Sequence, residues 1–230
     1  MPGFIRDLGP ATDGAIAVWD ADGTLWTGDV ADDFTQWMIE TGEVRGRAWP
    51  EYLRIYRDDA PAGCRYLLHL YEGLHVDRVA ERVEHWWRHH SRRRWILQVV
   101  ASVRHLADAG YATWIVSGTP TDFLLPLGRV LPVDRVLGMD FELDPDGRIT
   151  GRHAGISCAG AGKAEKILAS SGGRPVAFCA GNGDLDGPMM ELARQAWSIY
   201  PDAAFESYSR SRGWPVLPRG EDFVEEAKFL

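Results

Sequence analysis

With 230 residues, 45% hydrophobic and 25% charged, the chain has a globular composition, long enough for one large α/β domain or a core carrying a small insertion. A formal net charge of −8 argues against a general nucleic-acid binder. Cys64, Cys158 and Cys179, odd in number and without CxxC spacing, indicate neither a disulfide framework nor a zinc site. The N-terminus lacks a signal pattern and no stretch approaches the ~20 apolar residues that span a bilayer, so the expected setting is soluble and cytoplasmic.

Residues 15 to 20 read as a first buried strand, which breaks abruptly into Asp20-Ala21-Asp22-Gly23-Thr24-Leu25. Residues 30 to 90 then carry apolar residues at helical spacing, among them Phe34, Trp37, Met38, Leu67, Leu68 and Leu70. Pro50 and Pro61 punctuate them and no strand intervenes, which predicts a helical insertion. A helix from Ile96 to Ala109 stops at Gly110, and Tyr111 to Val116 reads as a strand running into Ser117-Gly118. Phe141-Glu142-Leu143 and Arg148 to Arg152 flank Asp146-Gly147 as a hairpin. A helix around Lys163 to Ala169 follows, then a strand from Pro175 to Ala180 ending in Gly181-Asn182-Gly183-Asp184-Leu185-Asp186, and another from Ala196 to Tyr200.

Three predicted strands thus end in polar, glycine-rich turns. In open parallel sheets ligands bind beyond the carboxyl ends of the strands, so these turns can share one site. Carboxylates, an amide, a hydroxyl and a lysine together suit a divalent cation and a phosphate: hard oxygen ligands hold Mg²⁺, and metal and lysine offset phosphate charge.

The four ordered segments, Asp20 to Leu25, Ser117-Gly118, Lys163 and Gly181-Asn182-x-x-x-Asp186 with Pro188-Met189, resemble the motifs of the haloacid dehalogenase superfamily, in its phosphoserine phosphatase-like branch. The resemblance covers nearly the whole chain. It implies a Rossmann-like α/β core with a parallel central sheet, residues 1–28 and 95–230, and a small helical cap of the C1 type, residues 29–94. It implies a Mg²⁺-dependent phosphatase acting on a small phosphorylated metabolite through an aspartyl-phosphate. Asp20 would be the nucleophile and Asp22 the general acid and base, an acid that a dehalogenase lacks at that position. Ser117, Gly118 and Lys163 would hold the phosphoryl group. Asp20, Asp22, Asn182 and Asp186 would hold the metal, Asn182 standing where the family usually has Asp.

Several residues keep two readings. Lys166, one helical turn past Lys163, could be the reaching lysine. Asp184 either supports the metal or caps a helix. Asp29 and Arg65 are candidate substrate contacts by resemblance, or an N-cap and a solvated helix residue. Trp37, Trp49, Tyr52, Tyr56 and Tyr66 are further candidate substrate contacts. Glu81, His85 and His89 form an i, i+4, i+8 stripe, a solvated face or a second metal site. Trp86 to Trp95 mixes basic and aromatic residues, as a nucleic-acid patch would, but its place in the chain favours a hinge. A phosphotransferase and a non-catalytic binding module are the alternative functions. Neither nucleic acid nor membrane is expected as a partner.

Overall fold

The computed structural model describes residues 2–220 and 223–225, so the very end of the expected core, 226–230, lies outside the described residues. In chain order the strands are β1 (Ile16–Trp19), β2 (Trp26–Thr27), β3 (Arg94–Ile96), β4 (Ala112–Pro120), β5 (Arg135–Leu143), β6 (Ile149–Ala154), β7 (Val176–Gly181), β8 (Gln195–Ile199), β9 (Val216–Leu217) and β10 (Phe223–Glu225). The longer helices are α1 (Val30–Glu40), α2 (Trp49–Asp58), α3 (Ala60–Leu67), α4 (Val76–His89), α5 (Leu97–Asp108), α6 (Ala161–Ser171) and α7 (Ala203–Ser211).

Strands β1 and β7 are buried along their whole length, as continuous apolar runs in a parallel sheet must be. Seven strands form one sheet in the order β6-β5-β4-β1-β7-β8-β9, and every neighbouring pair is parallel except β5 with β6. This is the expected Rossmann-like α/β architecture. Polar partners follow buried aromatics inward: the Trp19 indole donates to Ser102 Oγ on α5 at 3.0 Å. Such a bond removes the cost of burying an unpaired N–H.

Between β2 and β3 the long elements are all helical. Asp29 caps α1 by accepting from the Asp32 amide, and Asp59 caps α3 by accepting from the Ala62 amide, both at 2.9 Å. Aromatic rings bind this insertion to the sheet. Phe34 of α1 meets Phe123 edge-on at 4.7 Å, Tyr71 lies 5.3 Å from Phe123, and the Trp87 indole donates to the Phe123 carbonyl at 2.8 Å.

The chain enters and leaves the insertion through neighbouring strands, because β3 pairs antiparallel with both β2 and β10. Trp26 opposes Trp95 in that register, their rings 5.0 Å apart. The basic aromatic stretch is therefore a joint. Trp86, Trp87 and Trp95 are buried, the buried Arg93 is ion-paired with Asp33, and Arg92 donates to the carbonyls of Ser91 and His89. Buried rings cannot stack on bases. Among the described residues no helix is long and apolar enough to cross a membrane.

One strand is longer than its sequence signal. Residues 135–140 were silent, yet β5 starts at Arg135 and pairs with β4 before it turns antiparallel to β6. Gly138 interrupts the apolar pattern there for a steric reason: a Cβ would lie 2.4 Å from the Thr119 carbonyl oxygen and 2.6 Å from the Thr121 nitrogen. Gly138→Ala is expected to destabilise the protein by about 1–3 kcal/mol, read as a lowered midpoint in urea unfolding at unchanged slope.

Candidate active site

The parallel register sets Trp19 opposite both Ile115 and Ala180. Residues just beyond these, Asp20, Ser117 and Asn182, consequently emerge along one edge of the sheet. The Asp20 amide donates to the Ala180 carbonyl at 2.9 Å and fixes the level.

Lys163 reaches this edge from the first turn of α6. Its Nζ donates to Asp20 Oδ1 at 2.7 Å and to Asp186 Oδ1 at 2.6 Å. All three side chains are nearly sealed, with residue exposures of 3%, 4% and 2% for Lys163, Asp20 and Asp186. Burial opposes the Lys163 charge, but Asp186 and Asp20 outweigh it and hold the ammonium well above its ordinary value. The Asp20 carboxyl is pushed up to about 7, by burial first and by Asp186 second, against the pull of Lys163. Lys166 is excluded as the reaching lysine, since it donates to the Gly138 carbonyl at 2.6 Å and pairs with Asp140.

Asp22 is gripped by three donors. Its Oδ1 accepts from the Trp26 indole at 2.9 Å and the Val30 amide at 2.7 Å, and its Oδ2 accepts from Thr119 Oγ1 at 2.6 Å. Burial raises its pKa, and these bonds hold the rise back. Thr24 donates to Asp20 Oδ2 at 3.0 Å. Thr24 stood inside the quoted motif without a role, while nothing in the sequence marked Trp26 or Thr119.

The carboxylates open onto a cleft of about 570 Å³ that Ser117, Gly118, Lys163, Asn182 and Asp186 also line. From the insertion come Asp29, Tyr52, Tyr56 and Cys64. Asp29 is both the N-cap and a cleft residue, so its two readings coexist; burial and the charges of Asp22 and Asp32 raise its pKa well above the ordinary value. Asp184 lines the cleft but is exposed.

Arg65 does not reach the cleft. Helix α3 turns Ala60, Cys64 and Leu67 inward at helical spacing, whereas Ala62, Arg65 and Tyr66 line a separate groove with His69, Arg152 and His153. Trp37 and Trp49 are also elsewhere: Trp37 packs on Phe34 with Arg82 over its ring at 4.3 Å, and Trp49 lies 4.9 Å from Tyr52. The Glu81, His85 and His89 stripe does not converge. Glu81 pairs with Arg78 at 3.4 Å, the His85 and His90 Nε2 atoms are 3.3 Å apart, and no group of three or more His, Cys, Asp or Glu among the described residues is arranged to hold a metal.

A divalent cation at the sheet edge would therefore rely on mixed oxygens rather than on three carboxylates. Asp20, Asp186 and the Asp22 main-chain oxygen converge on one small volume, which the inner end of the Asn182 amide enters. Hard, partly anionic oxygens of this kind fit Mg²⁺.

Residues 17–191 match the haloacid dehalogenase-like hydrolase family. The chain belongs to that family. A putative hydrolase of Mycobacterium leprae is 30% identical over 236 residues, covering 94% of this chain and 78% of that protein. A histidinol-phosphatase of Neisseria meningitidis is 24% identical over 219 residues, covering 88% of this chain and 97% of that one. A substrate-bound phosphoserine phosphatase shares the fold, with a TM-score of 0.64 at 15% identity over 91% of this chain and 95% of that one. The family and its phosphatase relatives support a phosphatase.

The raised Asp20 pKa has a testable sign. Between the ordinary carboxylate range, where the unfolded chain releases this proton, and about pH 7, where the folded chain does, the folded state binds more protons. Stability of the metal-free protein then falls as pH rises through that window. Thermal unfolding in EDTA is expected at a midpoint about 5 °C lower at pH 7 than at pH 5, with Mg²⁺ reducing the difference.

Proposed function

We propose that the chain is a Mg²⁺-dependent phosphatase that hydrolyses a small phosphate monoester through an aspartyl-phosphate on Asp20. Residues 1–28 and 95–230 are read as its core and 29–94 as its cap. The observation that carries the reading is the pairing of Lys163 with both Asp20 and Asp186 in a cleft that also holds Asp22.

Asp20 attacks phosphorus, forming a P–O bond to its carboxylate as the bond to the leaving oxygen breaks. Asp22 gives that oxygen a proton, then takes one from the water that attacks the aspartyl-phosphate, releasing inorganic phosphate and regenerating both acids. Ser117, Gly118 and Lys163 hold the phosphoryl oxygens. Asp20, the Asp22 main-chain oxygen and Asp186 would hold the Mg²⁺, with Asn182 beside them rather than among the ligands, and the cation would supply positive charge against the phosphoryl group. Uncatalysed hydrolysis of such esters is slow enough for enhancements of ~10²¹, so fixed charge must supply most of the effect.

The leaving group meets Asp29, Tyr52 and Tyr56, and Lys163 is the sole cation among the described residues lining the cleft. That wall suits a small phosphorylated metabolite held without a carboxylate-binding arginine. Three buried free thiols suit a reducing cytoplasm.

Against a panel of phosphate monoesters with Mg²⁺, Asp20→Asn should lower phosphate release at least about a thousandfold; unchanged release would refute the mechanism. Arg65→Ala should alter kcat/KM by less than about twofold, because the side chain faces another groove. Asp29→Asn keeps the helix cap and removes the acidic group that an ammonium substrate would pair with. It should raise KM for amine-bearing substrates and leave neutral ones unchanged.

A further inference from the structure

The inner end of the Asn182 amide sits in a cage of oxygens. It lies 3.1 Å from the Asp22 main-chain oxygen, 3.2 Å from Asp20 Oδ2, 3.3 Å from Thr24 Oγ1 and 3.3 Å from Asp186 Oδ2. The Asp22 carbonyl can only accept, Asp186 Oδ2 already accepts from the backbone amides of Asn182 and Gly183, and Thr24 spends its hydrogen on Asp20 Oδ2 at 3.0 Å. The inward atom must therefore be the NH₂. An amide oxygen there would face acceptors alone, with like partial charges pressed together in a buried site.

Three of these four oxygens belong to the set that would hold a divalent cation. The amide sits at their centre and the distances are those of hydrogen bonds. Magnesium coordination is much shorter, near 2.0–2.1 Å. A cation and this NH₂ cannot occupy the cage together, so the amide must turn away before the oxygens close on a metal. The hydrogen bonds it gives up are lost with that turn, and metal affinity is reduced accordingly. Gly23 stands against the other side of the amide, where an added Cβ would lie 2.5 Å from the terminal atom. The absent side chain leaves room for the amide plane.

We infer that the Asn182 NH₂ is an internal stand-in for the metal: it holds Asp20, Asp22 and Asp186 together in the metal-free protein and competes with the cation for the same oxygens. This rests on the metal-dependent reading above. An Asp at position 182 would reverse both effects. It adds an anion beside two carboxylates that share one lysine, and it has no hydrogen to offer them. The acid set would then be less stable without metal and would bind metal more tightly.

The test measures binding and unfolding rather than turnover. Mg²⁺ is titrated calorimetrically into the 230-residue protein, Asn182→Asp and Asn182→Ala, and each is melted in EDTA and in Mg²⁺. Asn182→Asp should bind Mg²⁺ at least about tenfold more tightly, since affinity follows ligand charge, and should melt lower in EDTA. Asn182→Ala removes donor and oxygen together. It too should melt lower in EDTA, yet bind Mg²⁺ no more weakly than the parent. Weaker Mg²⁺ binding by Asn182→Ala would make the amide a standing ligand and overturn the inference, as would EDTA melting points unchanged in both variants. Heat from none of the three proteins would overturn the metal-dependent reading itself, so the two failures are distinguishable.

Discussion

Everything at the sheet edge depends on one ammonium group. Lys163 gives separate hydrogen bonds to Asp20 and Asp186, and without it two buried carboxylates would face each other in a sealed volume. Removing charges from water costs several kcal/mol per ion, so a buried acid pair either takes up a proton or needs a cation between its members. Lys163 answers that need for residues 143 and 23 positions away in the chain. Its own burial is balanced in turn by the same two acids. None of the three is independent of the others.

The sheet makes this meeting possible. Since β1, β4 and β7 run parallel, Trp19, Ile115 and Ala180 fall at one level, and a short step past each of these residues supplies a different chemical group. The lysine comes from a helix instead, at the first turn of α6, after Gly160 turns the chain through a φ of +56°. Asp186 repeats the economy within its own loop: one oxygen takes the lysine, while the other takes the amides of Asn182 at 2.8 Å and Gly183 at 3.2 Å. One carboxylate both shapes the turn and faces the cleft.

The sheet strands that bear the site were legible because their apolar runs end in turn residues, and the acids at those ends had no packing reason to be there. The helical insertion was legible from its spacing. Arg65 was not, since its role depends on which side of α3 faces the cleft, and a difference of one residue turns a side chain by about 100°. The first half of β5 was hidden by Gly138, whose reason is the backbone of another strand. The basic aromatic run from Trp86 to Trp95 kept a nucleic-acid reading beside the favoured hinge because its composition does not show that all three indoles are buried, Trp86 and Trp87 on α4 and Trp95 on the strand that pairs with β2 and β10. The grip of Trp26 and Thr119 on Asp22 joins residues 4 and 97 positions away, and no local pattern announces the second.

That grip has a mechanical meaning. Two of the three donors to Asp22 come from the crossing into the insertion: Trp26 from β2 and Val30 from the first residue of α1. The third, Thr119, belongs to the sheet. Asp22 is thus a rivet through two plates, and a tilt of the helical layer that moved Val30 would have to stretch the bond to the proton-carrying side chain or carry it along. Access to the cleft and the aim of its acid are one degree of freedom.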